Sequence, residues 1–133
     1  MAATKKRTKK YRVRPVNIPM MFESRNRLAL ELHLAIDTLI RAPSPGSYNE
    51  LTKMVTAINR TGMGGAGLEL ITATLTAICD RFERVEKVGV SVSEAEQLRQ
   101  AGADLDWMLA KIPINRLMAE VAAVLHHSKE LGI

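Results

Sequence analysis

A single cysteine, Cys79, leaves this chain without an internal disulfide and without a Cys-rich zinc site, so its thiol is read as a small buried side chain. Aromatic residues are only 4% of the total, which excludes a core built on rings. Leu, Ala, Ile, Val and seven Met must supply the apolar mass, and such side chains suit packed helices. No apolar run reaches the roughly 18 to 20 residues that span a bilayer. The N-terminus also lacks the apolar segment of a secretory signal, so a cytoplasmic protein with no membrane contact is expected. Alternating polar and apolar runs long enough to call for a sheet are missing, as are internal repeats. The first fourteen residues contain no acidic side chain.

What is present fits one domain. The chain has 133 residues, 47% of them hydrophobic and 25% charged, which is enough to bury a single core. Its net charge of +5 divides at Pro15. Lys5, Lys6, Arg7, Lys9, Lys10, Arg12 and Arg14 put seven positive charges before that proline. After it, twelve Lys and Arg face fourteen Asp and Glu, a net of −2. Mutual repulsion and scarce apolar side chains predict that the arm up to Arg14 is disordered when free. Pro15 and Pro19 then make a stiff connector through Met21, with Val16, Ile18, Met20, Met21 and Phe22 as its expected anchors.

Helical spacing governs the rest. Leu28, Leu32, Ala35, Ile36 and Leu39 share one face of a helix over about 23–41. Leu30, Leu34 and Ile40 widen that face, which predicts a central helix, and the segment Ala42-Pro43-Ser44-Pro45-Gly46 stops it. Ser47 with Glu50 has capping-box spacing for a second helix carrying Leu51, Met54, Val55 and Ile58 and ended by Gly62. Gly64, Gly65 and Gly67 read as a flexible link. Leu68, Ile71, Leu75, Ile78, Phe82 and Val85 then alternate steps of three and four, a seam for packing inside the bundle or between two copies in a homodimer, with Gly89 as terminator. Ser91 with Glu94, or Ser93 with Glu96, caps a fourth helix lined by Leu98, Ala101, Leu105, Met108 and Ile112, with Gly102 in its middle. Pro113 breaks this helix or opens a fifth, carrying Leu117, Val121, Val124 and Leu125 and capped by Gly132. The expected fold is an all-α bundle of about five helices over 22–133, preceded by the arm and connector over 1–21.

Motifs with chemical content are few. Gly62 to Gly67 matches the G-x-G-x-x-G spacing of dinucleotide-binding turns, but it follows a helical pattern instead of the strand which that site needs, so it reads as an interhelical link. The free amides of the next helix, with Arg60 nearby, leave anion binding as a minor alternative. His126 and His127 are adjacent and point about 100° apart on a helix, the wrong disposition for paired metal ligands. His33 and Asp37, four residues apart, read as a surface pair without a nucleophile beside them. Asp104 with Asp106 and Glu94 with Glu96 read as solvated charges, and Trp107 as a partly buried core residue. No catalytic residue, cofactor or metal is expected.

Function is therefore expected in the arm. Its Lys and Arg side chains replace counterions on a nucleic-acid backbone, and Tyr11 among Lys10, Arg12 and Arg14 offers a ring to an unpaired base. The candidate nucleic-acid-binding residues are Lys5, Lys6, Arg7, Lys9, Lys10, Tyr11, Arg12 and Arg14. Basic tails also contact acidic proteins, so a protein-interaction module, an adaptor or inhibitor of a host complex docking through the arm or an apolar helical face, stands as the alternative.

The segments Lys10-Tyr11-Arg12-Val13-Arg14-Pro15-Val16, Arg27-Leu28-Ala29-Leu30, His33-Leu34-Ala35, Tyr48-Asn49 and Ile112-Pro113-Ile114-Asn115-Arg116 resemble a group of short bacteriophage and prophage proteins of Gram-negative bacteria. That group has no established activity. The resemblance implies a phage-type accessory protein acting on nucleic acid or on a host protein in the bacterial cytoplasm, and it carries over no catalytic residue.

Overall fold

The computed structural model describes residues 16–63 and 65–133. The arm, with all eight candidate nucleic-acid-binding residues, lies outside the described residues. Among those described are five helices and no strand: α1 Phe22–Arg41, α2 Pro45–Arg60, α3 Gly65–Val85, α4 Val92–Leu109 and α5 Ile114–Leu131. Short connections join α1 to α2, α2 to α3 and α3 to α4, and each of these pairs packs together. α1, α2, α3 and α4 close a four-helix ring in which each packs on its two neighbours, and α5 lies against the outside of α2.

The element packed on three others is α2, not α1 as the apolar content of α1 suggests. On α1 only Leu32, Ile36 and Leu39 are buried, while Leu30 and Leu34 are 59% and 56% exposed. They lie on the side of the helix away from the Leu32–Leu39 stripe, because two residues on from a buried position is about 200° around the helix. The core is aliphatic, with Leu51, Ile58, Ile71, Ile78, Leu98, Leu105 and Leu117 among its buried side chains.

Several helix ends differ from their sequence reading. α2 starts at Pro45, and its N-cap is Ser44, whose hydroxyl accepts from the Ser47 amide at 3.0 Å while Ser47 Oγ accepts from the Ser44 amide at 3.0 Å. The box is Ser44 with Ser47, not Ser47 with Glu50. Proline is welcome at a first helical position, where its missing N–H has no helical partner. Gly65 and Gly67 belong to α3 instead of to a flexible link. α3 ends at Val85 with Glu86 in the left-handed region, ahead of Gly89, and the last two members of its seam, Phe82 and Val85, are exposed. The Ser91–Glu94 box and the left-handed Gly132 cap form as read.

Candidate functional site

α5 has Pro113 as its N-cap, and proline offers no side-chain cap to the amides that open a helix. The connector takes that role. The Ile114 amide donates to the Ile18 carbonyl at 2.8 Å. Asn115, one position further, clamps the same strand of chain from both sides: its Oδ1 accepts from the Ile18 amide at 2.8 Å, and its Nδ2 donates to the Val16 carbonyl at 2.9 Å. Pro19 biases Ile18 toward the extended backbone that presents both groups outward.

These three hydrogen bonds anchor the root of the basic arm, and the apolar side chains contribute little. Val16, Ile18, Met21 and Phe22 are all exposed, and only Met20 packs on the core. Asn115 carries no role in the sequence reading. A polar residue two positions after a helix-opening proline is the available signal, but its partner lies 97 residues away.

Further basic side chains stand at this end of the bundle. Arg116 donates to the Thr61 carbonyl at 3.2 Å and so ties α5 to the end of α2. Arg60, at the end of α2, pairs with Glu120 at 3.3 Å, which turns its side chain toward α5. Within that loop, Gly62 and Gly65 hold positive φ of 75° and 66°, and Met108 lies against Gly65. The G-x-G-x-x-G spacing here serves helix packing: a Cβ on Gly67 would stand 2.9 Å from Asp104 Cβ, 3.1 Å from the Ala101 carbonyl oxygen and 3.2 Å from the Leu105 nitrogen. A side chain there would hold α3 off α4.

Comparison with models of known families, with curated proteins and with solved structures returns no match.

His33 pairs with Asp106 of α4 at 2.8 Å and not with Asp37. Asp37 instead accepts from Arg41 at 3.1 Å, with Arg99 at 4.0 Å. The missing side chain of Gly102 lets the His33 ring pack directly against α4, with Cε1 3.1 Å from where a Cβ on that glycine would stand, within reach of Asp106. Among the described residues no three His, Cys, Asp or Glu side chains gather as a metal site would require.

Glu94 is the other departure. It is not a solvated charge: its side chain is 10% exposed and takes both guanidinium nitrogens of Arg81, with Nη1 donating at 3.2 Å. Arg81 Nη2 also donates to the Gly89 carbonyl at 2.8 Å, and the Ser91 amide donates to Glu94 at 2.9 Å. Burial pushes the Glu94 carboxyl up, but the bonds from Arg81 and Ser91 outweigh it and hold the group below its ordinary value. This clasp closes the α3–α4 hairpin.

Two surface features remain. Trp107 is 79% exposed, contrary to a core placement, because it faces outward from α4 while Leu105 and Leu109 take the interior. Between α1 and α5, over α2, runs a groove of about 160 Å³ lined chiefly by Leu28, Leu32, Met54, Leu117, Val121 and Leu125. No described helix is long and apolar enough to cross a membrane.

Proposed function

We propose that this chain is a non-enzymatic accessory protein of phage type that contacts nucleic acid through its basic N-terminal arm, with the helical bundle as scaffold. The observation that carries the reading is the division of charge: seven cations and no acid before Pro15, against a net of −2 beyond it. Phosphate contacts by Lys5, Lys6, Arg7, Lys9, Lys10, Arg12 and Arg14 release counterions, and Tyr11 stacks on an unpaired base. The Asn115 clamp fixes where the chain at Val16 and Ile18 joins the bundle, at the start of α5.

Fluorescence anisotropy with single- and double-stranded oligonucleotides tests it. The full chain is expected to bind with strong salt dependence. A variant with Lys5, Lys6, Arg7, Lys9 and Lys10 all replaced by Gln is expected to lose most of that affinity. Equal, weak binding by both would sink the proposal.

The groove between α1 and α5 favours a second reading, an adaptor or inhibitor that docks a host protein, because apolar grooves of this kind accept amphipathic helices. Capture from nuclease-treated host lysate separates the two readings: a partner retained after nuclease treatment, and lost on Leu125→Glu at the exposed rim of the groove, supports this one.

A further inference from the structure

The outward face of α1 carries six residues in steps of four and three: Glu23, Arg27, Leu30, Leu34, Asp37 and Arg41. All six fall within an arc of about 80° on the side of the helix opposite the buried Leu32, Ile36 and Leu39. Five are exposed and Asp37 is partly so. Among the described residues, the one contact from another helix onto this stripe is Arg99 of α4, 4.0 Å from Asp37, which also accepts from Arg41 within α1; the two leucines are the exposed apolar centre of an otherwise charged row.

The row reads as its own complement when reversed. In an antiparallel pair of α1 helices with the twofold axis beside Leu32, Leu30 meets the second copy's Leu34, Arg27 meets Asp37, and Glu23 meets Arg41. Every layer then joins an a-type position to a d-type position, the layering of antiparallel helix pairs. Other arrangements fail on charge. Parallel pairing sets Glu23 against Glu23 and Arg27 against Arg27. Sliding by one heptad either way places each leucine against a charged residue. One register alone satisfies all six positions, and it obeys the twofold symmetry that a homodimer interface requires. A shallow hollow lined by Leu30, His33, Leu34, Asp37 and Arg99 lies beside the ridge, where the facing leucines can seat.

We propose that a second copy of this chain docks on this face, making an antiparallel α1–α1 homodimer. One helix pair covers less than the roughly 1,200 Å² of a stable interface, so association is concentration dependent. Since α1 has 20 residues at about 1.5 Å each, the two connectors leave from opposite ends of the paired helices, about 30 Å apart.

Sedimentation equilibrium on the full chain, from micromolar to millimolar protein, is expected to show the mass rising from 14.7 kDa toward twice that value. Arg27→Glu sets acid against the opposing Asp37, and Asp37→Arg sets base against the opposing Arg27, so each alone should weaken self-association by about tenfold or more. An equimolar mixture of the two variants restores both pairs and should associate like the parent. Circular dichroism confirms that each variant folds, and should Asp37→Arg fail that control, Glu23→Arg mixed with Arg41→Glu applies the same logic to the outer layer. A monomer at every concentration overturns the proposal. So does a dimer indifferent to the charge reversals, or a mixture no stronger than its components.

Discussion

Gly67 of α3 lies against the backbone of Ala101 on α4 so closely that a Cβ on the glycine would stand 3.1 Å from the Ala101 carbonyl oxygen. Gly102, one residue on, repeats the device toward α1, where a Cβ would meet Ile36 Cδ1 at 2.8 Å and His33 Cε1 at 3.1 Å. The two approaches differ in what must yield. At Gly67 the obstacle includes helix backbone, whereas at Gly102 the nearest atom ends a side chain that can rotate. Gly67→Ala is therefore expected to destabilise the fold by about 1 to 3 kcal/mol. Gly102→Ala should cost less, since roughly 1 kcal/mol of helix propensity offsets part of the overlap. Urea denaturation of the two variants would check the order, and a larger cost at Gly102 would contradict it.

The clasp between Arg81 and Glu94 makes stability depend on acid. Glu94 is held below its ordinary carboxyl value of about 4.5 by Arg81 and Ser91, so its contribution is present above that pH and is lost as pH falls through the lower folded value. Thermal melts are expected to decline below about pH 4.5. Glu94→Gln should cost about 1 to 3 kcal/mol at neutral pH and flatten that part of the acid decline. An unchanged pH profile in the variant would count against the clasp.

Removal of the Asn115 side chain should release the connector without unfolding the bundle. Asn115→Ala loses two hydrogen bonds near the surface, worth about 1 kcal/mol together, while the Ile114–Ile18 bond remains. Amide hydrogen exchange at Ile18 should accelerate, with rates at Leu51 and Leu98 unaltered. Asn115→Asp keeps the acceptor for Ile18 and loses the donor to Val16, so it should fall between the two.

For the arm, the measurable quantity is the slope of binding against salt. Each phosphate neutralised on duplex DNA contributes about −0.9 to the slope of log K against log salt. Seven cations set the upper bound on that number. Replacing Arg12 and Arg14 by Gln should make the slope shallower by up to about two, uniformly across sequences.

Trp107 reports on its own exposure. As the single tryptophan, it should emit at the long wavelength of a water-exposed indole and be quenched readily by iodide. Trp107→Ala should shift stability by no more than about 0.5 kcal/mol, as at other surface positions clear of caps and cavities. A large loss would place the ring in the core.

The sequence by itself determined how many helices form and where most of them turn. Leu32, Ile36 and Leu39, or Leu68, Ile71, Leu75 and Ile78, recur at the helical period and are buried, and the Ser91–Glu94 box and Gly132 cap are local signals acting over a few residues. Serine against serine at Ser44 and Ser47 is a fainter signal than serine against glutamate, so the sequence pattern sets the start of α2 three residues late.

Tertiary structure decided everything that depends on which helix stands beside which. Periodicity says that a residue faces one way, not what it faces. Leu30 and Leu34 are apolar yet lie outside, Gly67 and Gly102 are contact points where glycines suggest slack, and His33 finds Asp106 across a helix gap instead of Asp37 along its own turn. The root of the arm is likewise set by Asn115, 97 residues from Ile18 in the chain, a partnership that local sequence cannot show.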